Sequence, residues 1–307
     1  MAITRSQLVK ELEPGLNALF GMEYNRYENE HEEIFDIETS DRAFEEEVML
    51  TGFGTAPVKT EGAGVQYDTA LESFTARYTH ETIAMAFALT EEAVEDNLYD
   101  RLSGRYTKAL ARSMSQTKQV KGANVLNNAF TGGAYAGGDG VALCATNHPT
   151  ALGPNFANTP ATQADLNETS LEQGIIDIAA FTDERGLKVA LTARKMIVPK
   201  ELQFTAERLM KSTLRTSTAD NDINAIKSMG LIPEGYAVNH FLTDTNAWFL
   251  ITDAPNGLKM FQRSPIKTAF EGDFDTGNVR YKARERYSFG WSEIGRASCR
   301  ERVSNCV

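Results

Sequence analysis

Residues 89–130 read LTEEAVEDNLYDRLSGRYTKALARSMSQTKQVKGANVLNNAF, and almost all of this stretch has the pattern of a single helix. Apolar side chains recur at every fourth position along one stripe, at Val94, Leu98, Leu102, Tyr106, Leu110 and Met114. Thr90 is a suitable N-cap, and the two glutamates that follow it suit the positive end of the helix dipole. No sustained heptad with charged flanks accompanies the stripe, which argues against a coiled coil. We therefore predict a rod about 60 Å long that packs along a sheet.

The apolar residues before this helix no longer follow the helical spacing, and their pattern predicts strands. Residues 45–89 contain two β-like runs, joined by the glycine-rich sequence GFGTAPVKTEGAG at 52–64. A two-stranded hairpin is only marginally stable in water, so it must lie against its own domain or against a neighbouring chain. Farther upstream, the pattern at 6–20 predicts an amphipathic helix that contains Pro14, and 28–33 reads as an acidic arm.

The rest of the chain predicts helices and strands in irregular alternation. A capping box is predicted at Thr169 and Glu172. Pro199 is expected to open a helix, and Gly230 to end a short one. From residue 236 onward the pattern predicts strand after strand. This order lacks the regular βαβ alternation of a doubly wound sheet, so we predict the α+β class.

Composition excludes several functional classes. The 307 residues carry a formal charge of −11, whereas a dedicated nucleic-acid-binding domain is usually basic. No apolar run approaches the roughly 18 residues that a membrane-spanning helix needs. The chain begins MAITRSQLVKELEPG, which has no apolar core segment and does not resemble a signal peptide. We expect a cytoplasmic product.

The last residues differ in character from everything before them. The sequence IGRASCRERV at 294–303 resembles one reading frame through a common sequencing adapter, so we expect 294–307 to be a non-native tail. Two of the three cysteines, Cys299 and Cys306, fall within it. Cys144 would then be the single native cysteine, which could not form a disulfide within the chain and fits a reducing compartment.

One group of residues resembles an enzyme site. Cys144 and His148 lie four positions apart with Asp139 nearby, and such a set could activate a cysteine nucleophile. Pro149 breaks any helix that would align the pair, so we favour a buried cysteine and a loop histidine. None of the four histidines has a zinc-binding spacing, and the run GGAYAGGDG lacks a phosphate-binding motif. We predict no catalytic site, no metal site and no cofactor.

The sequence VRYKARERYSFGW at 279–291 predicts a strand with two different faces. Its odd positions are largely aromatic, and its even positions form a ladder of positive charge, consisting of Arg280, Lys282, Arg284 and Arg286. A solvated face is one interpretation of this ladder, and contact with nucleic acid is a weaker one because the chain is acidic. We favour a third interpretation, in which the ladder pairs with acidic side chains of a neighbouring copy, with residues 45–47 as candidates.

Three long blocks of sequence, in this order, resemble the major capsid (head) proteins of tailed bacteriophages, in the branch that includes Mu-type head subunits. They are ARKMIVPKELQFTAERLMKS, TADNDINAIKSMGLIPEGYAVNHFLTDTNAWFLITDAPNGLKMF and GNVRYKARERYSFGW. The resemblance covers almost all of residues 1–293. It implies the Hong Kong 97-type viral capsid fold, also called the Johnson fold. That α+β fold has an N-terminal arm, an extended E-loop hairpin, a peripheral domain with a long spine helix, and an axial domain.

The resemblance implies a division of the chain into segments. These are the N-terminal arm at 1–40, the E-loop with its flanking strands at 41–88, the spine helix at 89–131, mainly the axial domain at 132–255, the returning peripheral-domain strands at 256–293, and the tail at 294–307. An E-loop accounts for a hairpin that could not be stable alone. It also implies inter-subunit contacts, which we predict at Phe53, Val58, Lys59, Val65 and Tyr67, in addition to the ladder.

The function implied by the resemblance is structural and not enzymatic. Such a protein self-assembles into hexamers and pentamers of an icosahedral phage head that encloses double-stranded DNA. Expected partners are further copies of the chain, a separate scaffolding protein, a portal and a maturation protease, with assembly in the bacterial host cytoplasm and no membrane. Packaged DNA would be contacted only weakly, because an acidic wall does not hold a polyanion.

Two alternatives remain open from the sequence. One is a nanocompartment shell of the encapsulin type, which shares the fold but encloses enzymes in place of DNA. The other belongs to a different class and is a cysteine-dependent enzyme that uses Cys144 and His148.

Overall fold

The computed structural model describes residues 5–90, 99–160, 164–215, 222–255, 257–272, 277–292 and 297–300. Its helices are α1 (Arg5–Tyr24), α2 (Tyr99–Asn127), α3 (Glu168–Ala179), α4 (Gln203–Lys211) and α5 (Ala225–Met229). Its strands are β1 (Asp36–Thr39), β2 (Phe44–Leu50), β3 (Glu72–Thr79), β4 (Glu81–Leu89), β5 (Ala193–Pro199), β6 (Tyr236–Asn239), β7 (Trp248–Thr252), β8 (Leu258–Gly272), β9 (Val279–Trp291) and β10 (Ala297–Arg300). This mixture confirms the α+β class. No helix in these ranges is long and apolar enough to cross a membrane.

A four-stranded sheet with the strand order β1-β8-β9-β4 supports the long helix. Its two longest strands, β8 and β9, are antiparallel neighbours, while β4 pairs with the other side of β9. Both α1 and α2 cover one face of this sheet, where Phe20 and Met114 belong to the same buried cluster as Tyr281 and Ala283. Leu110 and Met114 of the predicted stripe are therefore buried against the sheet, whereas Tyr106 is 48% exposed and contacts Phe87 of β4.

A second four-stranded sheet, in the order β10-β7-β5-β6, forms the core of the other half. Its inner strands are almost fully buried, and Met196 and Trp248 pack in one cluster with Ile178 of α3 and Ala206 of α4. The strand β10 comes from the predicted non-native tail and pairs antiparallel with β7. Whether that tail is native remains a prediction.

The hairpin β2-β3 forms a two-stranded sheet of its own. Residues 51–71 connect its strands as a loop without regular structure. After β3 a single residue, His80, leads into β4 of the large sheet. The chain therefore passes from the separate hairpin into the main body within one residue.

The long helix is confirmed at Tyr99–Asn127, and its predicted end is wrong by a few residues. Leu89 is the last residue of β4 and pairs with Val279, because the alternating sequence ETIAMAFAL continues as a strand up to this point. The helix ends at Asn127, so Phe130 lies in the turn that follows. Residues 91–98, which carry the first two positions of the predicted stripe, lie outside the described residues.

Other predicted boundaries shift by a few residues. The N-cap of α3 is Asn167, whose side chain accepts a hydrogen bond from the Ser170 N–H at 2.8 Å, and not the residue predicted two positions later. Pro199 ends β5 and is also the N-cap of a 3₁₀ turn, Lys200–Leu202, that continues directly into α4, so the helical segment begins at this proline with a 3₁₀ turn. Gly230 ends α5 as predicted, with a positive φ of 63° that glycine adopts at little cost.

A buried ion pair joins α2 to β9. Lys118 Nζ lies 2.9 Å from Glu285 Oε2, and the two side chains are 9% and 0% exposed. Tyr24 of α1 donates its hydroxyl to the same carboxylate oxygen at 3.0 Å. Burial, together with the nearby Glu285 charge, raises the pKa of Tyr24, so the hydroxyl keeps the proton that it donates. One carboxylate thus connects the first helix, the long helix and the sheet.

Removing one partner of this buried pair should destabilise the subunit strongly. Lys118→Met leaves the Glu285 carboxylate buried without its counter-ion, which should lower the free energy of unfolding by about 3–5 kcal/mol. The double variant Lys118→Met/Glu285→Met should regain most of that loss, because no charge is then left buried. Urea denaturation of the unassembled subunit measures both values.

Lys121→Met is the matched control on the same helix. Lys121 pairs with Glu81 at the surface, and such an exposed pair contributes only about 0–1 kcal/mol. If Lys118→Met lowers the stability no more than this control does, the buried pair is not the link that we describe.

Candidate functional site

The loop between β2 and β3 exposes several apolar side chains. Val58 and Tyr67 are each 94% exposed, Val65 is 70% exposed and Phe53 is 61% exposed, and Lys59 is exposed beside them. Burying one Val or Phe side chain contributes about 1.5–3 kcal/mol. A loop with this many exposed apolar groups is typical of a surface that a partner covers.

The base of this loop is attached to the second half of the chain. Arg185 donates a hydrogen bond to the Thr69 carbonyl oxygen at 2.6 Å and lies 3.4 Å from Asp68 Oδ1. The Asp68 carboxylate also accepts a hydrogen bond from the Gly54 N–H across the loop at 2.8 Å. The backbone N–H groups of Gly54 and Thr69, followed by the charge of Arg185, lower the pKa of Asp68. The base is therefore held in place while the apolar side chains stay in solvent.

The strand β9 has the two faces that its sequence predicts. Its odd positions from 281 to 287 are at most 1% exposed. Its even positions carry the ladder, in which Arg280, Lys282 and Arg284 are exposed and Arg286 is half-buried. The alternation is therefore confirmed, whereas the role of the ladder in subunit contacts stays a prediction.

The neighbouring strands add one cation and one acid to this face. On one side, β8 places Lys267 opposite Arg284 and Glu271 opposite Arg280. On the other side, β4 places small, uncharged and exposed side chains next to the ladder, namely Thr82, Ala84, Ala86 and Ala88. Like charges directly opposite each other destabilise an antiparallel pair, so the pairing of Lys267 with Arg284 favours an anion placed over both.

The acidic candidates at 45–47 have partners within their own chain. Glu45 accepts a hydrogen bond from the Ser40 hydroxyl at 2.7 Å, and Glu47 is paired with the buried Lys259. Glu46 lies 3.5 Å from an arginine of β3 in a largely exposed pair. A neighbouring ladder would have to displace these contacts, and Glu46 is the candidate that it could displace with the smallest loss.

His80 links the hairpin to the large sheet through hydrogen bonds. Its Nε2 lies 3.0 Å from Ser40 Oγ, and its Nδ1 lies 3.0 Å from Ser288 Oγ. Ser40 donates its single hydroxyl proton to Glu45, so Ser40 Oγ accepts from Nε2–H. In the neutral ring, Nδ1 is then the acceptor for the Ser288 hydroxyl. Burial, followed by the nearby charge of Arg286, accordingly lowers the pKa of His80.

Cys144 and His148 do not form a nucleophile and its base. His148 is fully buried, with Nδ1 2.6 Å from Asp139 Oδ2 and Nε2 3.3 Å from Asn158 Oδ1, so both ring nitrogens are engaged. Cys144 is buried and disulfide-bonded, and its sulfur is therefore not a thiolate. The other two cysteines of the chain, Cys299 and Cys306, both lie in the predicted non-native tail, so this disulfide joins Cys144 to the tail. That Cys144 has no disulfide partner in a chain without the tail stays a prediction. Across the ranges that the structure describes, no cluster of His, Cys, Asp and Glu could hold a metal ion.

The sequence did not predict three residues that the structure places at the ladder, at the base of the loop and at the hairpin junction. Lys267 joins the ladder only because β8 pairs with β9 in one register, and register cannot be read from a single strand. Arg185 lies more than a hundred positions from the loop that it holds. His80 could have been noticed in the sequence, because it is a polar residue between two β-like runs. Its partners Ser40 and Ser288 could not, because they are distant from it in the sequence.

Comparisons with known proteins identify similarity to capsid proteins, in sequence and in fold. The sequence profile of a family described as phage capsid protein matches residues 73–297, whereas no curated protein matches the chain. Among solved structures, the virus-like particle from Pyrococcus furiosus has a TM-score of 0.55 at 8% identity, over 94% of this chain and 98% of that one. The procapsid of bacteriophage JBD30 has a TM-score of 0.51 at 14% identity, over 99% of this chain and 78% of that one. The capsid of Myoviridae phage XM1 has a TM-score of 0.52 at 9% identity, over 86% and 88%.

Acid should destabilise the fold through His80. Because the pKa of His80 is lowered below 6.5 in the folded chain, the unfolded chain binds more protons between these two values. Stability is therefore complete above the unfolded value and falls as the pH drops from about 7 toward 5. His80→Gln stays neutral throughout, so its free energy of unfolding should depend less on pH in this window. Urea denaturation at a series of pH values measures the difference.

His31→Gln is the matched control, because burial also lowers the pKa of His31. The two substitutions should each remove a separate part of the pH dependence, and the two reductions should add in the double variant. If the free energy of unfolding of His80→Gln depends on pH as strongly as that of the unaltered chain, the pKa of His80 is not lowered at the junction.

Proposed function

The chain belongs to the phage capsid protein family and has the Hong Kong 97-type capsid fold, and we propose that its hexamers and pentamers build an icosahedral head around double-stranded DNA. The observation that carries this proposal is the loop at 51–71, whose apolar side chains are exposed although its base is held. A function based on assembly accounts for that exposure, because each copy supplies the cover for the next. We place the chain in the Mu-type branch of these proteins.

The segment assignment follows the same proposal. The arm at 1–40 would contain α1 and β1, the E-loop region at 41–88 the hairpin, and the spine helix at 89–131 the helix α2. The axial domain at 132–255 would contain the second sheet without β10, and the returning peripheral strands at 256–293 are β8 and β9. Support comes from the pairing of β9 with β4, which joins the end of the E-loop region to the sheet that carries the spine helix.

In the assembled shell, the loop residues Phe53, Val58, Lys59, Val65 and Tyr67 would contact a neighbouring subunit. Their exposure in the single chain supports this role. The apolar members would supply most of the free energy of contact, since their burial removes apolar surface from water. Lys59 would add a charge at the rim, where it contributes little to affinity.

The ladder would pair with acidic side chains of a neighbouring copy. The arrangement of Lys267 opposite Arg284 supports this role, because an anion over both cations would relieve their repulsion. The flat alanine row beside the ladder lets a neighbouring backbone approach closely. Glu46 remains the candidate partner among the acidic residues predicted from the sequence.

Other partners belong to the same proposal. A separate scaffolding protein, a portal and a maturation protease would act on the shell in the host cytoplasm. The chain itself would have no enzymatic role. Packaged DNA would be held only weakly, because the chain carries a charge of −11 and would repel a polyanion over most of its surface.

Electron microscopy of the chain expressed with its neighbouring genes tests the proposed function. We expect closed icosahedral shells with hexamers and pentamers, and double-stranded DNA as their content after packaging. Shells filled with an enzyme in place of DNA would identify the nanocompartment alternative. A chain that stays monomeric at high concentration beside its partner proteins would exclude both shells.

Reversing one charge of the ladder should block assembly and leave the subunit folded. Arg284→Glu places a carboxylate among like charges of the neighbouring copy, whereas an exposed strand position tolerates the change within the monomer. We expect a loss of shells by electron microscopy, an unchanged circular dichroism spectrum, and an unfolding midpoint that is not lowered, because the new carboxylate faces Lys267 across the strand pair. Arg284→Lys, which keeps the charge, is the control and should assemble. Normal shells from Arg284→Glu would remove the ladder from the subunit contacts.

A further inference from the structure

Two arginines at the hairpin end of the ladder have buried hydrogen-bond donors without an acceptor. Arg286 of β9 and Arg263 of β8 each bury the Nε atom of the guanidinium group, and neither Nε has a partner among the described residues. Arg263 lies 3.9 Å from Asp41, which is a weak contact because the Asp41 side chain is fully exposed. A buried polar group without a partner lowers stability, and the loss is larger for a charged group. The two guanidinium groups therefore favour an anion that accepts hydrogen bonds from both.

The strand register places two hydroxyl groups beside Arg286. Ser264 lies opposite Arg286 on β8, and Thr82 lies opposite it on β4, so the three side chains form one row across the face that carries the ladder. Side chains directly opposite each other in antiparallel strands have Cβ atoms about 4.5–5.5 Å apart. Arg263 immediately precedes Ser264, at a break in the register between β8 and β9. One small anion above this row can therefore reach both guanidinium groups and a hydroxyl.

The charges that surround this row favour an anion. Burial lowers the pKa of His80, and the charges of both arginines lower it further, whereas the charge of Glu45 on β2 acts in the opposite direction. Glu45 already accepts a hydrogen bond from the Ser40 hydroxyl at 2.7 Å. The next row of the ladder adds two more cations, because Lys267 lies opposite Arg284. The positive charge of four side chains thus meets one carboxylate that is bound elsewhere.

The donors fit a phosphate dianion better than a carboxylate. A carboxylate has two oxygens and is commonly bound by one guanidinium group in a bidentate pair. A phosphate monoester carries a charge of about −1.5 to −2 at neutral pH and offers three strong acceptor oxygens. Those oxygens can accept from two guanidinium groups and a hydroxyl at the same time. The exposed part of the ladder, Arg280 to Arg284, stays available for the acidic side chains of a neighbouring copy.

We propose that Arg263 and Arg286 bind a phosphate dianion at the junction between the hairpin and the large sheet. The hydroxyl groups of Ser264 and Thr82 supply further donors. The ligand is inorganic phosphate or a phosphate monoester, such as the terminal phosphate of a nucleotide. This site goes beyond the proposed function, because it belongs to the single subunit and does not need an assembled shell.

Titration calorimetry of the unassembled subunit with inorganic phosphate tests the site. At physiological ionic strength, where long-range attraction is screened, we expect saturable binding to one site. Arg286→Gln and Arg263→Gln should each raise the dissociation constant at least about tenfold, because each removes charge-assisted hydrogen bonds. Circular dichroism checks that both variants are folded.

Arg284→Gln is the matched control on the same strand. It removes a charge of the ladder two positions from Arg286 and should raise the dissociation constant less than about threefold. Equal weakening in all three variants would show a general attraction of anions to the ladder and would overturn the site. Unaltered binding in Arg286→Gln and Arg263→Gln, or no binding by the unaltered subunit, would overturn it as well.

The ring of His80 gives a second, independent readout. Bound phosphate offsets the charges of the two arginines, so the pKa of His80 should rise when phosphate is added. Proton NMR of the histidine rings measures this change, and the spectrum of His80→Gln identifies the signal. The pKa of His31 is lowered by burial and is affected by Gln119, Lys118 and Glu32, so His31 is the internal control and should not respond. The same pKa of His80 with and without phosphate would overturn the site.

Competition between ligands distinguishes the sources of the phosphate. Adenosine monophosphate should displace inorganic phosphate if the site accepts monoesters, whereas binding of inorganic phosphate alone would restrict the site to the free ion. Blunt DNA without terminal phosphates carries only diesters and should displace neither. Displacement by that DNA, or by a tetraglutamate peptide, would identify a different ligand and overturn the proposal. Each measurement uses the unassembled subunit, so a negative result leaves the proposed shell function intact.

Discussion

The alternation of buried and exposed residues along β9 is the constraint on which the rest of the fold depends. The strand runs for 13 residues through the middle of the large sheet, with β8 on one side and β4 on the other. A slip of one residue would move the charged ladder under the helices and the aromatic face into water. Glu285, the one acid on the buried face, meets Lys118 of α2, so the same register also fixes where the long helix lies. The register of this one strand therefore sets the position of the positive ladder, of the apolar core and of the long helix.

The hairpin β2-β3 is stabilised differently, because its two strands pair with neither of the larger sheets. Two strands alone are marginally stable, yet β2 and β3 pair apart from both larger sheets. Several attachments compensate, among them the hydrogen bonds of His80, the contact of Arg185 with the loop, and the packing of Tyr78 against Phe261. These attachments hold the base of the hairpin, while Val58 and Tyr67 stay in solvent. In the proposed assembly, the stability of the subunit and the energy of its contacts would come from different parts of the chain.

The sequence predicted those features that depend on local periodicity. The α2 stripe, the two faces of β9 and the left-handed Gly230 all follow from spacing or from one residue's backbone preference. Boundaries were wrong where several neighbouring residues could cap a helix, as at α3, whose N-cap is Asn167 and not Thr169. The sequence predicted only part of the candidate surface. Its ladder is local, but the positions of Lys267 and Arg185 depend on contacts between distant segments.

Charge and shape together explain why an acidic chain can associate with copies of itself. At a net charge of −11 two copies repel each other at long range, so only a local match can bring them together. In the proposed assembly, the ladder and Lys267 concentrate positive charge on one face of one sheet, and this charge would give the approach a direction. Charge pairs at a rim contribute little affinity, whereas the apolar loop would contribute affinity without selecting an orientation. A subunit with both features would bind its neighbour in a single geometry, which is the property that a closed shell requires.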